Sequence, residues 1–185
     1  MVIHRVYTRW GKPVMRKQKI TVSVIGGHDV NLKVEQLAHK IGIIIAKTGC
    51  IAVCGGLGGV MTAVSKGAQS AGGLTIGLLP GNKKTDANPY IDIALPTTIG
   101  YARNVMVACS ADVIVALPGS YGTQSEICYG LVYGRPVLDF GNWNIKGTIK
   151  VKNIKDFESK LKNLIDELWS GSCLSSPKLK PSNEI

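Results

Sequence analysis

Short runs of apolar and β-branched residues alternate along the chain with amphipathic segments. The runs have the length and composition of strands, at Ile20–Ile25, Cys50–Cys54, Leu74–Leu79, Tyr90–Leu95, Val113–Leu117, Pro136–Phe140 and Thr148–Val151. Helices are predicted between them at Asn31–Lys47, Val60–Ala71, Tyr101–Ser110, Thr123–Tyr133 and Ile154–Trp169. Strands this apolar are buried on both faces, which is typical of a parallel sheet covered by helices. The pattern predicts an α/β, Rossmann-like fold: a doubly wound, mainly parallel sheet with helices on both faces.

The length of the chain and the distribution of its charge indicate one folded domain with a segment at each end. Of the 185 residues, 45% are apolar, which suits a single domain with a sizeable core. The net charge is +10, yet the first 19 residues hold six of the 22 Lys and Arg residues and no acid. We predict a basic N-terminal segment at 1–19, a single Rossmann-like domain at 20–169 and a C-terminal tail at 170–185. A solvated basic arm is favoured over one that binds nucleic acid.

The cysteines and the apolar runs bear on the location of the protein. Five cysteines are an odd number and their spacing fits no metal-ligand motif, so no metal site is predicted. Small buried residues in a reducing compartment explain them better than disulfides do, which favours the cytoplasm. Met1–Pro13 lacks the apolar core of a signal peptide, and the apolar run Ile43–Ala46 is far too short to span a bilayer. We therefore expect no association with membranes.

Glycine is concentrated in three loops that follow predicted strands: Gly26–His28, Gly55–Gly59 and Pro118–Thr123. Ligands of doubly wound sheets bind beyond the carboxyl ends of the strands, where the strand order reverses. A tight turn needs one glycine, whereas four of the five residues in Gly55–Gly59 are glycine. Successive N–H groups and the N-terminus of the following helix form an anion site. The residues predicted to bind a phosphate are Gly26, Gly27, Gly55, Gly56, Gly58, Gly59, Gly119, Ser120, Tyr121, Gly122 and Thr123.

These loops do not match the two common phosphate-binding fingerprints. Gly56 and Gly58 fit the start of G-x-G-x-x-G, but Met61 takes the position of the third glycine. The strand Leu74–Leu79 does not end in the acid that holds a ribose in that fold. A Gly-Lys pair followed by Ser or Thr, as in a Walker A loop, is absent from the sequence. Fingerprint-type NAD binding and P-loop ATP hydrolysis are both disfavoured.

Two polar positions near the loops each have two interpretations. Thr123 and Glu126 have the spacing of a helix capping box, which needs no function, and that spacing is equally compatible with a catalytic glutamate. Arg103 stands at the start of a predicted helix, where arginine is usually solvated or packs between helices. At the carboxyl edge of the sheet, it could instead pair with a phosphate.

Three segments in order, Gly55–Met61, Tyr101–Asn104 and Pro118–Glu126, resemble the Lonely Guy-like superfamily, whose members are often labelled lysine decarboxylases. The resemblance covers residues 20–165. The motif Tyr-Ala-Arg-Asn at 101–104, preceded by Asn88–Ala94, is most similar to the molybdenum cofactor carrier branch. This resemblance implies a homo-oligomer that binds a small phosphorylated ligand and neither nucleic acid nor membranes.

The resemblance leaves two functions open. A protein of the carrier type would bind a phosphorylated, nucleotide-like ligand, either a nucleoside monophosphate or molybdenum cofactor, and would require no cofactor of its own. The hydrolase branch cleaves the N-glycosidic bond of nucleoside 5′-monophosphates, as in cytokinin activation, and Arg103 and Glu126 stand at the positions of its catalytic pair. Tyr101 and Asn104 replace the His and Lys beside the hydrolase arginine, so we expect a binding protein. The presence of both Arg103 and Glu126 disfavours a purely structural oligomer.

Overall fold

The computed structural model describes residues 4–7, 13–16 and 18–170. The first two ranges are the strands β1 (His4–Tyr7) and β2 (Pro13–Arg16), which pair antiparallel. Both strands lie within the predicted basic segment 1–19, whose independence from the domain stays a prediction. The predicted tail 170–185 lies outside the described residues from position 171 onward.

A parallel sheet of seven strands forms the centre of the described chain. Its strands are β3 (Thr21–Ile25), β4 (Ile51–Cys54), β5 (Thr75–Leu79), β6 (Ile93–Pro96), β7 (Val113–Ala116), β8 (Val137–Asp139) and β9 (Ile149–Lys150). They are ordered β6-β5-β4-β3-β7-β8-β9, and each neighbouring pair runs parallel. The predicted fold class is therefore confirmed.

Helices cover both faces of this sheet. They are α1 (Leu32–Lys47), α2 (Val60–Ser70), α3 (Asn104–Cys109), α4 (Tyr121–Val132) and α5 (Ile154–Ser170). Alternate residues of β3 point to opposite faces, so Val22 and Val24 join the core under α1, α2 and α5, whereas Ile25 joins the core under α3 and α4. Within residues 18–170, none of these helices has the length and apolar composition that a membrane crossing requires.

Three predicted boundaries differ from the structure by two or three residues. β6 starts at Ile93 because Asp92, just before it, binds the preceding strand: its Oδ2 accepts a hydrogen bond from the backbone N of Thr75 at 2.9 Å. The helix predicted from Tyr101 opens as a 3₁₀ turn over Gly100–Arg103 before α3 begins. The helix predicted from Thr123 starts two residues earlier, at Tyr121.

The strand order places the candidate loops at one point of the sheet. β3 lies between β4 and β7, so the chain builds the sheet outward from β3 in both directions. Ligands of doubly wound folds bind in the crevice at such a reversal. The loops after β3 and β7 are joined there, since the backbone N of Gly27 donates a hydrogen bond to the carbonyl oxygen of Pro118 at 2.9 Å.

Two glycines bring the backbones of α1 and α2 into direct contact. A methyl group on Gly42 of α1 would overlap the carbonyl oxygen of Val64, and one on Gly67 of α2 would overlap the carbonyl oxygen of His39. Both obstacles are backbone atoms of the facing helix, so neither can turn aside. The two helices therefore pack more closely than any side chain at these positions would allow.

Replacement of Gly67 by alanine tests this contact. We expect Gly67→Ala to lower the free energy of unfolding by about 1–3 kcal/mol through overpacking, although alanine is the better helix former by about 1 kcal/mol. Gly122→Ala in α4 is the matched control, because the nearest atom to its new methyl group would be Asn104 Nδ2 at 3.5 Å. Urea denaturation measures both variants. A Gly67→Ala variant as stable as the wild type would contradict the close packing.

Candidate functional site

The three glycine loops converge because hydrogen bonds tie the first loop to the other two. The N–H of Gly27 is bound by Pro118, and its carbonyl oxygen accepts from the backbone N of Val60 at 3.1 Å. Bare backbone makes this approach possible: a Cβ on Gly59 would overlap the carbonyl oxygen of His28, and one on Gly119 would lie only 2.9 Å from the backbone N of Gly27. These glycines are required for the contact between the loops themselves.

The loops surround a cavity of about 350 Å³, here called the main pocket. Eight of the predicted site residues line it: Gly26, Gly27, Gly55, Arg103, Ser120, Gly122, Thr123 and Glu126. Sequence reasoning did not assign a site role to its other lining residues, which are Val24, Ile25, His28, Leu57, Met61, Tyr101 and Asn104. The structure thus brings residues of β3, three loops, the 3₁₀ turn and the helices α2, α3 and α4 into one pocket.

The other predicted phosphate-binding residues lie around this pocket. Gly119 lines a neighbouring cleft and Gly59 lines a groove between α1 and α2. A Cβ on Gly56 would lie 2.8 Å from Leu79 Cδ2, and one on Gly58 would lie 2.6 Å from the Cε1 atom of His28, so both pack against other parts of the protein. Tyr121 is 89% exposed at the start of α4. Their part in phosphate binding stays a prediction.

Arg103 is held at the base of the main pocket by contacts from three directions. Its side chain is only 8% exposed and donates from Nη1 to Asn104 Oδ1 at 2.6 Å and from Nη2 to the carbonyl oxygen of Gly55 at 3.4 Å. Nη1 also lies 3.5 Å from Glu126 Oε1. Its buried Nε finds no hydrogen-bond partner among the residues that the structure describes. Burial lowers the pKa of this guanidinium, and the charge of Glu126 opposes that effect.

Glu126 is the acidic partner in this buried pair, projecting from the second turn of α4. Burial raises the pKa of its carboxyl group from 4.5 to about 8, while the positive charge of Arg103 acts in the opposite direction. At neutral pH the carboxyl group is therefore largely protonated, and it can donate a hydrogen bond to a ligand as well as accept one.

The capping-box interpretation of Thr123 and Glu126 is wrong. Because α4 begins at Tyr121 with Ser120 at the N-cap, Thr123 lies inside the first turn, where it is buried. Glu126 pairs with Arg103 of a different element. The T-x-x-E spacing suggested a helix start at Thr123, but Ser120 is of a residue type common at the N-cap and was the available signal for the earlier start.

The start of α4 provides the N–H groups that an anion would need. The first-turn N–H groups of Tyr121, Gly122 and Thr123 have no acceptor within their own helix, whereas the next one, at Gln124, donates to the carbonyl oxygen of Ser120 at 3.0 Å. These groups, together with the positive end of the helix, favour an anion in the main pocket. The start of α2 is different, because its first N–H, at Val60, is bound by Gly27.

Asn104 links the base of the pocket to α4, a role that sequence reasoning did not assign. Its Oδ1 accepts from Arg103, and its Nδ2 donates to Ser125 Oγ at 3.2 Å and to the carbonyl oxygen of Gly122 at 3.4 Å. The available signal was its position directly after Arg103 in the Tyr-Ala-Arg-Asn motif. Asn104 thereby fixes both the arginine and the first turn of α4.

The fold and this site define a Rossmann-like protein of the SLOG group. The chain belongs to the SLOG cluster4 family, whose sequence model matches residues 19–168. An uncharacterized protein of Archaeoglobus fulgidus is 37% identical over 138 residues, which are 75% of this chain and 87% of that protein.

Two solved structures of similar proteins support the same placement. The molybdenum cofactor binding protein from the phototrophic bacterium Rippkaea orientalis is 30% identical with a TM-score of 0.75, and the match covers 81% of this chain and 99% of that one. The molybdenum cofactor carrier protein from Chlamydomonas reinhardtii is 29% identical with a TM-score of 0.72, over 80% of this chain and 99% of that one. The predicted resemblance to the Lonely Guy-like superfamily, close to the carrier branch, is confirmed.

The raised pKa of Glu126 makes stability depend on pH in a defined direction. Between pH 4.5 and about 8, the folded protein keeps a proton on Glu126 that the unfolded chain has lost, so stability falls as pH rises through this window. The Glu126→Gln variant lacks this ionisable carboxyl group, so its stability does not have this pH dependence. We expect the stability of the wild type relative to the variant to fall by at most about 1.4 kcal/mol per pH unit.

Urea denaturation of both proteins across the window measures this difference. Glu158→Gln removes a carboxyl group from an exposed position of α5 and is the matched control for loss of an acid. A difference between wild type and Glu126→Gln that stays constant with pH would contradict the burial of an ionisable group at this position.

Proposed function

We propose that this protein binds the phosphate of a nucleotide-like ligand in the main pocket, and that it serves as a carrier of molybdenum cofactor. The proposal rests on one observation: the first turn of α4 and the buried side chain of Arg103 line the same cavity. Unpaired N–H groups at a helix start and a guanidinium provide the hydrogen-bond donors and positive charge that a phosphate requires. The cavity, at about 350 Å³, falls in the range of small-ligand sites.

The similar proteins support a small-molecule ligand and favour molybdenum cofactor. The proteins of Rippkaea orientalis and Chlamydomonas reinhardtii are described as a molybdenum cofactor binding protein and carrier protein, and each is matched over 99% of its length. A nucleoside monophosphate is the other ligand of suitable chemistry. In either case the bound molecule is the cargo, and the protein itself requires no cofactor.

Hydrolysis of nucleoside monophosphates is the second candidate function, favoured by the presence of Arg103 and Glu126 in one pocket. A hydrolase of this type needs a negative carboxylate beside the ribosyl cation of its transition state. Burial raises the pKa of Glu126 to about 8, so the carboxyl group carries little charge at neutral pH. The same neutral group is well suited to sit beside a bound anion, which favours a binding role.

We also propose that the protein acts in the cytoplasm as a homo-oligomer. Large apolar side chains of α3 and α4 and the turn after α4 are exposed, namely Met106, Tyr129, Val132 and Tyr133, at 41–59%. A contiguous exposed apolar surface is typical of a protein interface. A second copy of the chain is the proposed partner on this face.

Gly122→Asp tests the proposed phosphate site at the start of α4. The new carboxylate would lie beside the first-turn N–H groups, where it repels an anionic ligand, while a negative charge at a helix start does not harm the helix. We expect the affinity for nucleoside monophosphates, measured by calorimetry, to fall about a hundredfold. Mass spectrometry of small molecules released by denaturing the purified protein should find a phosphorylated ligand with the wild type and none with this variant.

Gly122→Asn is the matched control, because it has nearly the same shape without the charge. Its affinity should remain much closer to that of the wild type. Equal affinities of the wild type and a folded Gly122→Asp variant for nucleoside monophosphates would show that the phosphate does not bind at the start of α4.

Release of free base separates the two candidate functions. A carrier releases none from any nucleoside 5′-monophosphate, and this is the result we expect with the wild type. A hydrolase would release base, and Glu126→Gln would then lose activity by a factor on the order of a thousand, since it cannot supply a negative charge. Chromatography of incubated nucleotides gives the answer. Base release that disappears in Glu126→Gln would overturn the carrier assignment.

A further inference from the structure

A second cleft of about 460 Å³ adjoins the main pocket on the side of α1. Its walls are the residues that follow β3, from Gly27 to Asn31, together with Val34 of α1 and Pro118–Ser120. Three residues line both cavities: Gly27, His28 and Ser120. The two cavities therefore meet at one edge, which lies where the strand order reverses.

The edge between the two cavities has bare backbone at Gly27, beside the side chains of His28 and Ser120. A Cβ on Gly27 would lie 3.5 Å from the Cα of Gly119, so the two loops approach each other at positions that carry no side chain. The ring of His28 lies against Gly58, which has no side chain of its own to displace it. A narrow, elongated group such as a pyrophosphate could cross this edge past Gly27, whose N–H is bound by Pro118, and contact Ser120.

The second cleft differs in chemistry from the main pocket. The main pocket has the guanidinium of Arg103, whereas the second cleft has the carboxylate of Asp29 beside the apolar side chains of Val30, Val34 and Pro118. A carboxylate repels a second free phosphate but accepts hydrogen bonds from sugar hydroxyls. Apolar side chains favour the flat face of a base. This combination suits an uncharged nucleoside.

We infer that the ligand has two halves, as a dinucleotide does. Its phosphate group crosses the edge at Gly27 and Ser120, with one ring system in the main pocket and a nucleoside in the second cleft. The inference rests on the proposed function, since it extends the ligand of the same phosphate site. It differs from the G-x-G-x-x-G mode of NAD binding, in which the acid that holds the ribose follows the second strand. Here Asp29 follows the first strand of the parallel sheet, β3.

Ligands of increasing length test this inference by calorimetry. The series consists of adenosine 5′-monophosphate, adenosine 5′-diphosphate and diadenosine 5′,5′-pyrophosphate, together with the same three compounds of guanosine. The diphosphate adds charge without a second nucleoside, so the dinucleotide is compared with it. We expect the dinucleotide of at least one base to bind about tenfold or more tightly than the matching diphosphate.

Two variants locate the gain in the second cleft. Val34→Trp fills the cleft, and Asp29→Asn removes the proposed hydroxyl acceptor at an exposed position that should not affect folding. Both should reduce the ratio of dinucleotide to diphosphate affinity towards one and leave monophosphate binding in place. Gln69→Trp, which places the same large ring on an exposed position of α2, is the control for Val34→Trp and should keep the ratio.

The outcomes separate the two proposals. Monophosphate binding without a gain for either dinucleotide, or a gain that survives in both cleft variants, would overturn the inference and leave the proposed function standing. A different result would overturn both proposals: no compound of the series binds to the wild type, and no phosphorylated molecule is released from the purified protein. The proposed function would then be wrong, and so would the two-part ligand inferred from it.

Discussion

The two backbone hydrogen bonds of Gly27 are the constraint on which the site depends. Its N–H is bound by the loop after β7 and its carbonyl oxygen by the start of α2, so three loops meet at one residue. The meeting is possible because Gly59 and Gly119 present bare backbone at the points of contact. A side chain at Gly59 or Gly119 would meet the backbone of the first loop and separate the loops.

The junction also decides which helix start can face a ligand. By occupying the first N–H of α2, Gly27 leaves the start of α4 as the place where unpaired N–H groups face the pocket. Arg103 approaches this place from the opposite side and is held by Asn104, which also contacts Gly122 and Ser125 of α4. Burial lowers the pKa of Arg103, which remains a cation, and raises that of Glu126. The pocket therefore combines fixed donors with a carboxyl group whose charge is low at neutral pH, which suits the retention of an anion more than the cleavage of a glycosidic bond.

The fold class could be predicted from the sequence because the apolar composition of the strands is a strong indicator of a buried parallel sheet. β7 is a continuous apolar run and β3 is apolar apart from Thr21 and Ser23, and such segments between amphipathic helices indicate buried parallel strands. Proximity of Arg103 to Glu126 followed from the family resemblance, but their mutual burial did not, because burial depends on packing between α3 and α4. The start of α4 was misplaced because Thr123 and Glu126 imitate a capping box. The different roles of the glycines were equally hidden, since a glycine that contacts another loop and one that faces a ligand look the same in a sequence.

The direct contact between α1 and α2 has a consequence for how the molecule can move. Each helix carries a glycine against the other's backbone, so neither can slide without lifting over a carbonyl group. We therefore expect these two helices and the strands that they cover to move as one rigid unit. The opposite face joins α3 to α4 partly through the buried side chain of Asn104, which donates hydrogen bonds to Gly122 and Ser125. In the proposed function, the α3–α4 layer both lines the pocket that holds the cargo and presents exposed apolar side chains. Loading of the pocket and association between copies would then be mechanically linked through a single layer of the fold.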